Sequence, residues 1–451
     1  MSKADVAIDL ALRVLVLFLL FGGIIGVDTG LGSVILLFRD AFVVLPIYIL
    51  LLTQEPVLPL IRSIPPAILL SIGALLAALV LNLLVPVHSS VLMVIIGIRV
   101  WCFYIPFILV GAQLAHRPDR LIAFFRFFMI CGLLVCLVGI AQAILIRILG
   151  YEFALSLFFG SNAGAVSQDF AGFAEAGGIY RVPGTFSFVT QYAFFLYAAL
   201  TVAAILSRTD PRPLIRWLAV LALFLASVAT VFSGARAAMF YLPLILAGYG
   251  MIGVFGIRFI LSSLLLIPLF ILIQYYLDFS VIDYLIYTIE VARDYQQGNY
   301  FFGEITRALE LSPFGSGIGS STTAARHVVA ASELSDNGFE PLLARAYAEL
   351  GLAGLIAIVG LLASVLVYCV VFIRRAKRMG TMPFVGPIAV LLIVTVSQAS
   401  KASVLDFDPL NVFFWLLLGV MFGLRMPEAA RHSAPRGTGL DWFHTGGTVP
   451  R

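Results

Sequence analysis

Twelve stretches of the chain are apolar over the length that a membrane-spanning helix needs. About 20 residues cross a hydrocarbon core of about 30 Å, because a helix rises about 1.5 Å per residue. The stretches lie at about 10–27, 32–52, 64–85, 91–111, 121–147, 184–206, 217–233, 237–255, 258–276, 346–373, 383–400 and 409–424. Only 12% of the residues are charged, about half the share in soluble domains, which excludes a soluble enzyme.

The sequence therefore predicts an all-α fold, a polytopic transmembrane helical bundle of about twelve spans. Residues 1–424 form a single transmembrane domain, and the Gly-, Pro- and Arg-rich residues 425–451 form a disordered tail. Charges interrupt two of the windows, at Arg39–Asp40 and at Arg99. The ends of the second and fourth spans are therefore poorly defined by the sequence.

The distribution of Lys and Arg predicts the orientation. With the N-terminus in the cytoplasm, 18 of the 28 Lys and Arg residues fall on the cytoplasmic side and seven on the outer side. This asymmetry follows the positive-inside rule and places both termini in the cytoplasm. Two long connections, about 148–183 and about 277–345 (between spans 9 and 10), then share the outer face. Part of the second has the spacing of an amphipathic helix on the membrane surface.

Two outer arginines flank spans at the level of the lipid headgroups. Arg181 lies in GGIYRVPGTFSF before the sixth span, and Arg236 lies in VFSGARAAMF between the seventh and eighth. A guanidinium stays charged and binds phosphate with two parallel hydrogen bonds, so a lipid diphosphate is the expected ligand. The alternative is that both arginines only anchor helix ends to lipid phosphate.

The second long connection contributes the remaining candidates. Glu340, Arg345 and Glu349 lead into the tenth span, where Arg345 and Glu349 form an ion pair if the segment is helical. Glu340 is the candidate proton acceptor; a solvated helix cap with an intrahelical ion pair is the alternative. The candidate substrate-binding residues are Arg345, Arg307, His327 and Asp336.

No sequence pattern supports a nucleotide or a metal. The glycines of SPFGSGIGSS are not followed by the Lys and Ser or Thr of a phosphate-binding loop. Spacings typical of metal ligands do not occur, and the net charge of +4 is too small to suggest nucleic acid. We therefore expect no metal, no cofactor and no nucleic-acid partner.

The order of several motifs resembles the O-antigen ligase and O-antigen polymerase family of bacterial membrane glycosyltransferases. RVPGTF precedes a span, SGARAA begins a later one, and PFGSGIG lies in the long loop that ends with AELGLAG. The resemblance is best over about 180–360. In the family's ligases a His-Asn pair shortly precedes the last motif, and this chain does not match it: the usual spacing lands on Glu340, and Asp336–Asn337 is the nearest similar pair.

The resemblance implies a metal-independent, inverting glycosyltransferase of the bacterial inner membrane, with its active site on the periplasmic face. Its donor is a glycan on undecaprenyl diphosphate, and the family's two diphosphate-contacting arginines correspond to Arg181 and Arg236. The expected partners are this lipid-linked oligosaccharide, the lipid bilayer and a polysaccharide chain-length regulator. The absent His-Asn pair favours a polymerase of repeat units, for O-antigen or exopolysaccharide, over an O-antigen ligase acting on lipid A-core.

Two hypotheses from other functional classes compete with the enzyme hypothesis. A lipid-linked-sugar transporter or flippase usually holds its substrate near the bilayer midplane, in a cavity lined by buried charges. Arg99, Arg147, Gln142 and Gln191 are the candidates for such a lining, with snorkelling to the membrane surface or hydrogen bonds between helices as the simpler roles. A scaffold is the third reading, and it gives no reason for the paired outer arginines.

Overall fold

The structure is a computed structural model. It describes residues 3–29, 32–54, 57–84, 91–160, 175–176, 179–255, 300–310, 313–321, 341–399, 402–406 and 408–424, together with residues 286, 289, 290, 293 and 339. The ninth predicted span, most of the predicted surface helix and the tail from residue 425 lie outside the described residues, as do Glu340, His327 and Asp336.

The described residues are almost entirely helical. In chain order the helices are α1 (Lys3–Thr29), α2 (Gly32–Arg39), α3 (Leu45–Gln54), α4 (Val57–Ser63), α5 (Pro66–Leu83), α6 (Val91–Ile98), α7 (Phe107–Ala115), α8 (Pro118–Leu149), α9 (Tyr151–Phe159), α10 (Val189–Thr209), α11 (Pro213–Phe232), α12 (Arg236–Met251), α13 (Tyr300–Leu309), α14 (Leu342–Met379), α15 (Met382–Gln398) and α16 (Leu410–Gly423). Two short strands, β1 (Glu175–Ala176) and β2 (Ile179–Tyr180), form an antiparallel pair.

The helices confirm a membrane-embedded, all-α bundle. Within the described residues, eight helical segments are long and apolar enough to cross a membrane, and α12, α15 and α16 are shorter apolar helices. Each of these eleven coincides with a predicted window. The twelfth window, at 258–276, lies outside the described residues, so the total of twelve spans stays a prediction.

The second and fourth spans are continuous but irregular. Asp40–Val44 forms a π-helical turn between α2 and α3, and a second π-helical turn, Arg99–Phe103, follows α6. These are the two places where charges interrupt the apolar windows. A π-helical turn adds one residue to a helix and so rotates the following side chains by about 100°. The turn allows the charged residues and the apolar residues after them to face the same interior.

Helix α10 is the centre of the bundle. Of its apolar window 89% is buried, against 33–50% for the other seven candidate spans. Alanines along its length, such as Ala198, Ala203 and Ala204, are at most 1% exposed and let neighbouring helices approach closely. The segment that carries Arg181 leads directly into this central helix, so the packing of the core fixes where that segment lies.

The two ends of the bundle carry different polar groups. At one end, Arg120 on α8 pairs with Asp9 on α1 at 2.7 Å, and Arg126 pairs with Asp210 at 2.6 Å. We call the other end the loop end: α1, α5, α8 and α11 finish there, and α6, α10, α12 and α14 begin there. Arg181 and Arg236 both lie at the loop end.

Candidate functional site

The segment 182–188 at the loop end is a tight turn between β2 and α10. Gly184 adopts a φ of +63°, and an added Cβ would lie 2.8 Å from the ring of Tyr192. Gln142 on α8 donates to the carbonyl of Gly184 at 2.7 Å, so its partner lies in this turn and not on a neighbouring helix. The glycine is therefore required by both the backbone conformation and the packing.

Thr185 locks the same turn onto α1. Its Oγ1 donates to the carbonyl of Leu20, and the backbone N–H of Ile24 donates to the carbonyl of Thr185 at 3.1 Å. Thr185 thus bonds to the Leu20 carbonyl and to the Ile24 N–H, which lie one helical turn apart on α1. Gly23 permits this approach, since an added Cβ would lie 2.6 Å from the Thr185 carbonyl oxygen. The position of the turn within the fold is thereby set by α1, α8 and α10.

The segments that carry the two predicted arginines lie side by side. The backbone N–H of Val182 donates to the carbonyl of Ser233 at 3.1 Å. Arg181 precedes the first of these residues, and Arg236 begins α12 three residues after the second. Arg181 is half-buried near Tyr151, whose pKa is raised to about 12 by burial, with the nearby guanidinium acting in the opposite direction. The side chain of Arg236 lies outside the described part of the structure.

A glycine loop, residues 313–321, wraps around a kink in α14. Gly351 at the kink has a φ of +68°, and an added Cβ would lie 2.2 Å from the carbonyl oxygen of Pro313. Gly315, Gly317 and Gly319 in the loop also have positive φ. The loop is the SPFGSGIGSS motif, and its shape resembles the backbone cradles that bind anions.

The anion in this cradle is the protein's own Glu349. Its Oε2 accepts from the N–H of Gly319 at 3.0 Å and from Nε1 of Trp101 at 2.7 Å. Its Oε1 accepts from the N–H of Ser321 at 3.1 Å and from Nε of Arg345 at 3.3 Å. The side chain is 0% exposed. This loop therefore holds a carboxylate in place of a phosphate.

The predicted ion pair of Arg345 and Glu349 forms, but it is buried. The Arg345 side chain is 1% exposed and also binds the carboxylate of Asp406 and the carbonyl of Ser321. This corrects the alternative of a solvated pair: α14, the glycine loop and the segment before α16 close over it. Because every nitrogen of the guanidinium has a protein partner, Arg345 joins these three elements.

Of the remaining candidates of the long loop, Arg307 lies among the described residues. Arg307 on α13 is exposed; it pairs with Glu304 at 3.6 Å and stacks on Phe339, 4.6 Å from the ring centroid. Glu340, His327 and Asp336 lie outside the described residues.

A second charged cluster lies inside the bundle, and among its members the sequence analysis names only Arg99 as a candidate, for the cavity of a transporter. Arg39 donates to Asp40 at 2.8 Å and to Asp408 at 2.8 Å, and it is 2% exposed. Arg99 contacts Asp40 at 2.5 Å and Asp408 at 3.4 Å. Tyr104 accepts hydrogen bonds from both arginines and is close enough to donate to Asp40. We call these five residues the charged network.

The charged network is balanced and held ionised. Two guanidinium groups face two carboxylates, which offsets the cost of removing charges from water. Burial alone would raise the pKa of Asp408, which lies outside the spans, but the guanidinium groups of Arg39 and Arg99 outweigh this effect and hold that pKa below its ordinary value. Arg39 lies about 10 Å along α2 from Gly32, at the helical rise of 1.5 Å per residue, so the network is inside the bundle.

The charged network borders a cleft of about 230 Å³ between α1, α2 and the turn before α10. Apolar side chains make most of its wall, and α1 contributes the bare backbone of Gly22, Gly23 and Gly26. Its polar lining consists of Arg39, Arg99, Ser187, Gln191, Asp406 and Asp408. Ser187 and Gln191 belong to the segment that follows Arg181, so the cleft adjoins the predicted arginine motif.

The sequence contained a signal for this network. Arg39, Asp40 and Arg99 are ionisable residues inside apolar windows, and such residues are costly in a membrane unless they pair or serve a function. Their partner Asp408 lies in a short connection, and no local spacing relates it to them. In the part of the chain that the structure describes, no group of His, Cys, Asp and Glu is arranged to hold a metal ion.

Comparisons with other proteins do not identify a family for this chain. The chain matches no model of a known protein family, and a search of curated proteins finds no similar sequence. The function is therefore argued from the site.

Proposed function

We propose that the protein polymerises lipid-linked polysaccharide repeat units. In this reaction a glycan moves from an undecaprenyl-diphosphate donor to a sugar hydroxyl at the periplasmic face. The observation that carries the proposal is the hydrogen bond between Val182 and Ser233, because it holds the segments of Arg181 and Arg236 together at one end of the bundle. Two guanidinium groups on adjacent segments suit a diphosphate, which offers two phosphates side by side.

The chemistry needs stabilisation of a leaving diphosphate. The acceptor hydroxyl attacks the anomeric carbon, the bond to the diphosphate oxygen breaks, and negative charge grows on that oxygen. Arg181 and Arg236 would bind this charge more strongly in the transition state than in the ground state, which accelerates the step. Glu340 would accept the hydroxyl proton, and a single displacement would invert the anomeric carbon. The roles of Arg307, His327 and Asp336 would be to bind the glycan.

Arg345 has a different place in this mechanism. Its guanidinium is buried between Glu349 and Asp406 and touches the glycine loop. We assign it to positioning the glycine loop and the segment before α16. Binding of the donor diphosphate then depends on Arg181 and Arg236.

The membrane placement follows the charge distribution. We place the loop end in the periplasm of a bacterial inner membrane and both termini in the cytoplasm. Arg117, Arg120 and Arg126 would then lie at the cytoplasmic end, as the positive-inside rule favours. A chain-length regulator would bind the protein from the periplasmic side.

The test compares arginine variants in a purified system. Protein in nanodiscs receives a synthetic undecaprenyl-diphosphate-linked repeat unit, and the products are separated on a gel. We expect a ladder from the wild type and none from Arg181→Ala or Arg236→Ala, with partial activity in the Lys variants because Lys lacks the planar fork. Arg375→Ala, an exposed arginine of α14 near the opposite end, is the matched control and should give a normal ladder.

Two outcomes would replace the proposal. A normal ladder from either Ala variant would remove the arginines from the site. A single addition to lipid A-core without a ladder would identify a ligase, which shares the donor and differs in the acceptor.

A transporter or flippase of lipid-linked sugars is the second candidate, and one observation favours it. The charged network and two π-helical turns border a cleft within the spans, as in many transport sites. Movement of the labelled repeat unit across liposomes without any new glycosidic bond would support this candidate.

A further inference from the structure

The cleft offers both hydrogen-bond donors and hydrogen-bond acceptors to a ligand. Arg99 is 18% exposed there, and its Nη1 has no hydrogen-bond partner among the described residues. The carboxylates of Asp406 and Asp408 line the same space as acceptors. Ser187 and Gln191, joined by a hydrogen bond of 3.1 Å, add a hydroxyl and an amide. A phosphate only accepts and an ammonium only donates, whereas a hydroxyl does both.

The charge balance disfavours an anion. Arg39 and Arg99 are already matched by Asp40 and Asp408, and Arg345 is shared between Asp406 and Glu349. Glu349 does not line the cleft, and without it the three guanidinium groups face three carboxylates. A diphosphate would find no excess positive charge and would meet repulsion from Asp406 and Asp408, which is strong at low local dielectric. A neutral ligand avoids this repulsion.

The dimensions and walls of the cleft favour one ring on a lipid. Its volume of about 230 Å³ is below the roughly 300 Å³ at which sites for drug-sized ligands begin. The half-buried Phe188 presents aromatic surface to the cleft from the turn before α10. Leu36 on α2, also part of the wall, is 39% exposed, so the cleft continues onto the apolar outer surface of the bundle.

We propose that this cleft binds one neutral sugar ring of a lipid-linked glycan, as the acceptor subsite. The assignment to the acceptor rests on the proposed glycosyltransferase function. Hydroxyls of the ring donate to Asp406 and Asp408 and accept from Arg99, and the ring face packs on Phe188. The cleft adjoins the Arg181 segment through Ser187 and Gln191, which places a bound acceptor next to the donor site.

The test measures binding without turnover. Protein in nanodiscs is photolabelled with a diazirine derivative of octyl glucoside, and labelled peptides are mapped by mass spectrometry. The competitors are octyl glucoside, octyl phosphate and octyltrimethylammonium, which share a chain and differ in the head group. We expect labelling of peptides from α1, α2 or the turn before α10, and competition by the glucoside at least fivefold better than by either charged compound.

Variants locate the site. Gln191→Ala should weaken competition by octyl glucoside about fivefold, the factor expected for one lost hydrogen bond. Thr190→Ala, an exposed neighbour that does not line the cleft, should leave it unchanged. Gln191 is half-buried and makes no ion pair, so its variant is expected to fold; melting temperature and nanodisc yield are measured to verify this.

Each contrary result is distinct. Preference for octyl phosphate would make the cleft a phosphate site, and preference for octyltrimethylammonium would make it a cation site. Labelling of other peptides would show that the sugar binds outside the cleft. Each of these three results overturns the proposal. Binding of the glucoside in a protein that forms no polymer would support a sugar site while refuting the glycosyltransferase. Polymer formation without glucoside binding would do the reverse.

Discussion

Replacing Glu349 with Gln should destabilise the protein although the side chain keeps its size. The carboxylate accepts two hydrogen bonds at each oxygen, from Trp101 and Gly319 at Oε2 and from Ser321 and Arg345 at Oε1. An amide has one oxygen and one NH2 group. The NH2 group replaces one of the two oxygens, so the two N–H donors that bonded to that oxygen lose their acceptor and face a donor.

The magnitude follows from those lost contacts. Hydrogen bonds to a charged group contribute about 1.5–3 kcal/mol each, so two of them give about 3–6 kcal/mol. Buried ion pairs give a second figure for the same change, since removing one partner of such a pair costs about 3–5 kcal/mol. We therefore expect the free energy of unfolding to fall by about 3–5 kcal/mol, a large part of the roughly 5–15 kcal/mol of an ordinary domain.

The assay is chemical unfolding in a mild detergent, monitored by tryptophan fluorescence. Glu152→Gln is the matched control, because Glu152 is exposed on α9, and exposed charges contribute at most about 1 kcal/mol. Trp101→Phe removes a single donor and should lie between the two, at about 1.5–3 kcal/mol, with circular dichroism as the probe. A loss below about 1 kcal/mol for Glu349→Gln would refute the assignment of Glu349 as the anion of the glycine loop.

Three further predictions concern the turns and the charged network. Gly351→Ala should destabilise the protein by at least 1 kcal/mol, because φ is +68° and the new Cβ meets the Pro313 carbonyl; an unchanged melting temperature would contradict this. Thr185→Val should lose about 1 kcal/mol, since the Leu20 carbonyl loses its donor, whereas Thr185→Ser should be nearly neutral in the same assay. The pKa of Asp408 is lowered in the fold, so its contribution to stability is present above its ordinary pKa and is lost as the pH falls through the folded value. Asp408→Asn should therefore reduce the loss of stability at acid pH, and a pH profile of stability identical to that of the wild type would contradict the pairing.

The helices were predictable from the sequence because the information is local. An apolar stretch of about 20 residues needs little more than its own composition to become a spanning helix. The eleven windows that fall on described residues each contain an apolar helix. The π-helical turns at Asp40 and Arg99 were not predicted, because they depend on partners elsewhere in the chain.

The charged network was not predictable for the same reason. Arg39 and Asp408 are 369 positions apart, and Arg99 and Asp408 are 309 apart. A single sequence shows that Arg39 and Arg99 are unusual in apolar windows, but it does not show which carboxylates they meet. The helix packing supplies that information.

The glycine loop illustrates a different limit. Its composition indicates a backbone conformation with converging N–H groups, and the structure has that conformation. The sequence does not show which anion the N–H groups bind. Glu349 was already a candidate through its spacing from Arg345, yet nothing local connected it to the loop.

The central claim is that polymer growth releases undecaprenyl diphosphate at Arg181 and Arg236. The most direct measurement quantifies, by mass spectrometry, the undecaprenyl diphosphate released and the glycosidic bonds formed by purified protein in nanodiscs. We predict one released lipid for each bond formed by the wild type, and neither product from Arg181→Ala or Arg236→Ala. An intact donor that crosses the membrane with no lipid released would contradict the account and support the transporter.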